Sequence, residues 1–142
     1  MTVISAVDDE ADDSKVVSVG HDLATAFGDD LVVIHVMTDD TYEDRTESSP
    51  NYYRDSAAKD AKSVAQRLIS STLGEGTATN ITARGRVGSP VEELLAEVNR
   101  QDARYLVVGG RKRTPVGKAV FGSNTQSVLL NAEVPVMTVM NQ

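Results

Sequence analysis

The residues with the clearest capacity for chemistry lie between Tyr105 and Thr125, in YLVVGGRKRTPVGKAVFGSNT. A short apolar run, Tyr105 to Val108, reaches Gly109-Gly110, where a buried strand is expected to break. Arg111, Lys112, Arg113 and Lys118 follow with no acidic residue among them, and Gly122-Ser123 closes the stretch ahead of another apolar segment. Glycines let an anion come close to the backbone, and the N–H groups at a helix start favour negative charge. Together these features predict a loop that holds the phosphates of a nucleotide.

The loop differs from two standard phosphate motifs. Gly117-Lys118 is followed by Ala119 and not by Ser or Thr, and position 112 lacks the leading glycine of a Walker A sequence. No glycine follows the first predicted strand, so a dinucleotide fingerprint is missing as well. Ser123 with Gln126 has the form of a capping box, which is compatible with a phosphate on the remaining N–H groups. The two histidines, His21 and His35, do not suggest a catalytic triad. His35 lies inside an apolar run and is expected to be a hydrogen-bonded core residue. Acidic pairs such as Asp12-Asp13, Asp29-Asp30 and Asp39-Asp40 read as solvated faces. No catalytic residue and no metal cage is predicted, although Mg²⁺ can arrive with nucleotide phosphates.

The elements that must position this loop follow from periodicity. Residues 3–7 read as a strand, and Asp12, Asp13 or Ser14 can cap the helix that follows. Val16, Val19, Leu23 and Phe27 mark that helix, with Gly28 at its C-terminal cap. Residues 31–37, LVVIHVM, are nearly continuous in apolar character, as in a strand covered on both faces. Residues 38–51 are polar and acidic and read as a loop. A helix is predicted over about 52–73, a weaker strand over 78–87, and a helix from the capping box at Ser89-Pro90-Val91-Glu92. A strand at 104–108, a short helix after Ser123 and a last strand at 134–140 complete the chain.

The resulting order is βαβαβαβαβ. It predicts one α/β domain over residues 1–142, an open five-stranded parallel sheet with helices on both faces. If the first and fourth strands flank the topological switch point, the crevice lies above their C-terminal ends. Those ends are Asp8 and Gly109, so Asp8 and the glycine loop are expected at one site. Asp8 can serve a ligand there or turn the chain.

Composition sets the outer bounds. The chain has 142 residues, a formal net charge of −7 and no cysteine, which excludes disulfides, thiolate metal sites and cysteine nucleophiles. Residues 1–60 hold 15 acids against 4 bases, whereas residues 61–142 hold 6 acids against 10 bases. The total disfavours binding to a nucleic-acid backbone, while the basic loop suits a small anion. Aspartate outnumbers glutamate 13 to 8, a solvated acidic surface of the kind that suits a high-salt cytoplasm, as in a halophilic archaeon. No apolar run reaches the roughly 18 residues of a membrane span, and the N-terminus has no signal-like pattern. A cytoplasmic location is expected.

Val7-Asp8 after the first strand, Val-Ile-His-Val at 33–36 and Val87-Gly88-Ser89-Pro90 resemble the universal stress protein family over nearly the whole chain. The most specific likeness is to the Gly-x2-Gly-x9-Gly-Ser/Thr motif of its nucleotide-binding branch. Gly109 matches the first glycine, Gly122 the third and Ser123 the hydroxyl residue. The second glycine position is Lys112, which either blocks backbone approach or substitutes a point charge. The resemblance implies an adenine nucleotide alpha hydrolase-like fold. It also implies a stress-response regulatory protein that binds ATP or a related nucleotide, with at most weak hydrolysis. In that reading Asp8 holds the ribose, Val36 lines the adenine pocket, and Gly109, Lys112, Gly122, Ser123 and Asn124 serve the phosphates. It further implies a homodimer through the C-terminal strand, whose apolar edge invites pairing. The alternative is a dimeric interaction module that binds no nucleotide.

Overall fold

Strand β1 (Thr2–Ala6) is the axis of the sheet. It pairs in parallel with β2 (Asp30–Thr38) on one side and with β4 (Ala103–Lys112) on the other. Strand β3 (Ile81–Gly88) pairs in parallel with β2, and β6 (Val136–Asn141) with β4. In this computed structural model the parallel order is therefore β3-β2-β1-β4-β6, the five-stranded parallel sheet expected from the sequence. The structure describes residues 1–9, 12–76, 79–112, 119–120 and 123–141, with backbone alone for Arg111, Lys112, Ala119, Val120, Ser123, Asn124 and Asn141.

The strands are apolar on both faces because helices cover both. Alternate residues serve opposite sides, as the two-residue period of a strand requires. Val3, Val7, Leu31, Val33 and Val107 pack with Val16, Val17 and Ala24 of α1 (Ser14–Phe27) and with Ala65 of α3 (Arg54–Leu73). Ile4, Val32, Ile34, Leu106 and Val108 face the other way. They meet Leu94 and Val98 of α4 (Pro90–Arg100) and Val128 of α5 (Ser123–Asn131).

Helix α1 ends where Gly28 predicts. That residue has φ 66°, a left-handed conformation that costs a residue with Cβ more than glycine. Its side of the sheet, the N-terminal end, is closed by charge. The Asp29 carboxylate is buried and accepts from Arg104 Nε at 2.7 Å, and the chain's amino terminus lies 3.6 Å away. The Arg104 hydrogen bond holds the Asp29 carboxyl below the usual carboxylate range, against a smaller opposing effect of burial. The Arg104 guanidinium also lies 4.5 Å from the centre of the Phe27 ring.

A second charge network secures α4. Glu97 is 0% exposed, and its carboxylate accepts from Arg86 of β3, from Arg100 and from Gln101. A buried carboxylate with three donors is satisfied, whereas removing donors would leave a charge stranded.

Asp13 and Asp29 are buried, where solvated acidic pairs were expected, and four further sequence expectations need correction. Residues 38–51 are not a loop throughout: α2 occupies Asp39–Ser48. Thr38 caps it by accepting from the Thr41 N–H at 3.2 Å, and Asp39 and Asp40 sit in its first turn, where the helix dipole favours acids. Tyr42 packs on Tyr52, while Arg54–Asp39 and Arg45–Asp60 pairs tie α2 to α3. Second, β4 does not break at Gly109-Gly110 but runs to Lys112. Pairing with β6 through Gly109, Gly110 and Arg111 outweighs the poor strand propensity of glycine. Third, a two-residue strand, β5 (Ala119–Val120), pairs antiparallel with Arg111 and Lys112. Fourth, Ser89 makes no side-chain capping bond, so α4 starts on Pro90 and its acidic first turn alone.

Candidate functional site

The register places the candidate residues at the C-terminal end of the sheet. Ser5 pairs with Val107, so continuing both strands by two residues brings Val7 level with Gly109, and Asp8 lies one residue beyond. Val7 still belongs to the sheet, since its N–H donates to the Ile34 carbonyl at 2.9 Å. Its own carbonyl accepts from His35 Nδ1, also at 2.9 Å. The carbonyl cannot donate, so Nδ1 carries the proton in this bond. His35 is thus hydrogen-bonded as expected but half-buried, not a core residue, and it fixes the turn out of β1.

Asp8 leaves the sheet with an exposed side chain. Its backbone N–H donates to Asp13 Oδ2 at 2.7 Å. Asp13 is only 5% exposed and occupies the N-cap position of α1, yet its side chain does not cap the helix. It reaches the β1–α1 turn instead. The same carboxylate lies close to β4: a Cβ built on Gly109 would stand 3.0 Å from Asp13 Oδ1 and 3.5 Å from Val16 Cγ2. Glycine at 109 therefore has a packing reason, the close approach of the first turn of α1 to the strand. The sequence offers Asp12, Asp13 and Ser14 equally as caps. Nothing in it distinguishes the one that joins the two halves of the site.

The position of β5 adds a second constraint. Arg111 pairs both with Asn141 of β6 and with Val120 of β5. A strand residue has two edges, so β5 must lie on the β1 side of β4, past the point where β1 ends. The backbone at Lys112 is thereby brought to the side of Asp8. Helix α5 begins at Ser123, three residues after Val120, and so within about 11 Å of it along the chain. Ser123 is thus the first helical residue. Gly122, Arg113 and Lys118 lie outside the described residues.

Val36 belongs to the same end but to the other face. It is half-buried near the end of β2, opposite Arg86 in register, and packs against the cluster of Ile34, Leu94 and Val108. The structure thus gathers Asp8, Gly109, the Lys112 backbone and the start of α5 around the ends of β1 and β4, with Val36 across the sheet. An exposed carboxylate beside backbone N–H groups and glycine suits a ligand with both hydroxyl donors and an anionic group.

The universal stress protein family matches this sequence over residues 1–140. The chain belongs to that family. Among curated relatives, a universal stress protein of Mycolicibacterium smegmatis is 48% identical over 48 residues, 34% of this chain and 37% of that one. The match thus spans little more than a third of that relative's length. Among solved structures, the universal stress protein from Archaeoglobus fulgidus is 28% identical over 97% of both chains, with a TM-score of 0.63. A universal stress protein in complex with cAMP is 22% identical, covers 100% of this chain and 98% of that one, and has a TM-score of 0.63. An Archaeoglobus fulgidus universal stress protein in complex with dAMP is 22% identical over 97% of this chain and 96% of that one, at a TM-score of 0.58. At that identity the last two speak for the fold alone, a parallel sheet with helices on both faces. Among the described residues no helix is long and apolar enough to cross a membrane.

Proposed function

We propose that this universal stress protein is a cytoplasmic regulatory protein that binds ATP or a related adenine nucleotide at the C-terminal ends of β1 and β4. The observation that carries the reading is the register that sets Asp8 beside Gly109, with β5 and the start of α5 on the same side. Asp8 accepts from the ribose hydroxyls, and Val36 borders the adenine. The N–H groups of Ser123 and Asn124 receive phosphate, with Gly109 and Gly122 allowing its approach. Lys112 replaces a backbone contact with a point charge. Mg²⁺ enters with the phosphates. Relatives of the same fold in complex with cAMP and dAMP support the ligand class. Hydrolysis is at most slow, since no general base is assigned.

Calorimetric titration tests this directly. The native protein should bind an adenine nucleotide, and Asp8→Ala should weaken adenosine and ATP alike while leaving inorganic phosphate unchanged. Equal affinities in native and variant protein would remove Asp8 from the site.

A second reading, a dimeric interaction module without nucleotide, is favoured by one surface. Leu130 is 82% exposed on α5, and Leu129 and Met137 are exposed near it in sequence and on the outer strand β6. A homodimer through β6 would cover the outer edge of β4-β6, and it fits the nucleotide reading equally well. A monomer mass at micromolar concentration would contradict the dimer.

A further inference from the structure

The parallel sheet ends in β6 on one side and in β3 on the other. Strand β3 pairs with β2 alone, so its far side is an open edge among the described residues. The Leu31 N–H donates to the Asn80 carbonyl, which sets the alternation along the strand. Thr82, Arg84 and Arg86 turn their backbone groups to β2, while Ile81, Ala83, Gly85 and Val87 turn theirs outward. Among the described residues, no protein group bonds to those outward N–H and C=O groups.

Both faces beside this edge carry bases. Arg84 and Arg86 stand opposite Ile34 and Val36 in register and so share the α4 face. On the other face α3 rests on the strand: a Cβ built on Gly85 would collide with the Ala58 carbonyl and the Lys62 N–H. That contact sets the exposed Lys62 beside the edge, with exposed Lys59 one turn before it. Arg86 is matched by Glu97. Arg84, Lys59 and Lys62 make no ion pair among the described residues, and Arg84 Nε is buried without an acceptor. Asp55 of α3 and Glu93 of α4 lie toward the C-terminal end of β3, where Glu93 approaches Gly88. The chain is acidic overall, at −7, yet the middle of this edge is basic.

We propose that the outer edge of β3 is a docking site for an extended acidic segment of a partner protein, taken up as an added strand. Main-chain bonds to Ile81, Ala83, Gly85 and Val87 hold the segment. Its alternate carboxylates meet Arg84 on one face and Lys59 or Lys62 on the other. A second copy of this chain is a poor occupant, because pairing two β3 edges sets Arg84 and Arg86 against like charges. The site is independent of nucleotide and of any contact through β6.

An octapeptide alternating Thr and Glu, blocked at both ends, is titrated into the whole chain, and amide hydrogen exchange is read by NMR. Exchange at Ala83, Gly85 and Val87 should slow roughly tenfold at about ten times the peptide's Kd, because pairing closes outward N–H groups. Thr82, Arg84 and Arg86 already sit in the ladder and should change little. Ala83→Pro removes an outward N–H without breaking a bond to β2, and should abolish the effect. Arg84→Gln leaves the backbone intact and serves if proline unsettles the strand; it should weaken the peptide by about threefold or more. A peptide with Lys in place of Glu should not bind. Three results overturn the proposal: no slowing at millimolar Glu peptide, equal binding of the Lys peptide, or protection that rises with protein concentration alone, the mark of a second copy on this edge.

Discussion

Helix α1 is bracketed by two buried aspartates that are held in opposite ways. Asp13 precedes the helix at the C-terminal end of the sheet, where the dipole welcomes a negative charge, and it accepts a backbone N–H. Asp29 follows the helix at the opposite end, where the dipole disfavours one, and it is matched by the Arg104 guanidinium and the amino terminus. The lesson is that burial of a carboxylate does not by itself mark function. At one end the charge is neutralised by cations and closes the fold. At the other the carboxylate accepts the Asp8 N–H and lies against the glycine of β4, joining the β1–α1 turn to the next strand.

The comparison can be broken most strongly from the N-terminal end. Asp29→Ala leaves Arg104 without its carboxylate and should lower the melting temperature by roughly 5 °C or more, since removing one partner of a buried pair strands the other. Nucleotide affinity should be unaffected. A variant that loses ligand as well would show the two ends to be coupled.

Acid should narrow that gap. The folded-state carboxyl of Asp29 is lowered, so the unfolded chain takes up its proton first as pH falls below the unfolded value of about 3.9. The stabilisation is fully present above that value and is lost as pH drops through the folded-state pKa. Melting temperatures of native protein and Asp29→Ala should therefore converge below about pH 4. A constant difference down to pH 2.5 would assign the loss to packing.

At the other end, Gly109→Ala presses a methyl toward Asp13 and should cost about 1 kcal/mol, read as a denaturant midpoint shift, together with a loss of nucleotide affinity. The smallest stability effect belongs to Asp8→Ala. Its side chain is exposed and its backbone N–H holds the turn to Asp13, so the melting temperature should change by no more than about 2 °C. Ligand affinity should nonetheless fall by about tenfold, the scale of one charge-assisted hydrogen bond.

Where the chain signals its own structure, the signal is apolar periodicity. The runs at 3–7 and 31–37 and the stripe on α1 are legible because burial on two faces leaves little choice of residue. Helix α2 is not legible, because it buries no residue; it rests on the Thr38 cap and on pairs with α3 that are distant in sequence. The persistence of β4 through Gly109-Gly110 depends on β6, which the local sequence cannot report. Strand β5 is too short to have a period. At the site, Asp8 was readable as lying just past the first strand, whereas Gly109, expected at a strand end, lies inside β4, and Asp13 looked like any of three caps. Its importance comes from reaching another strand, a tertiary fact.

Thermal denaturation with Mg-ATP, ADP, AMP and inorganic phosphate tests the central claim most directly. A nucleotide at 100 times its Kd should stabilise the fold by about 2.7 kcal/mol, a rise of several degrees that phosphate alone does not reproduce. No shift with any of the nucleotides at millimolar concentration would contradict the account and favour the dimeric module without nucleotide.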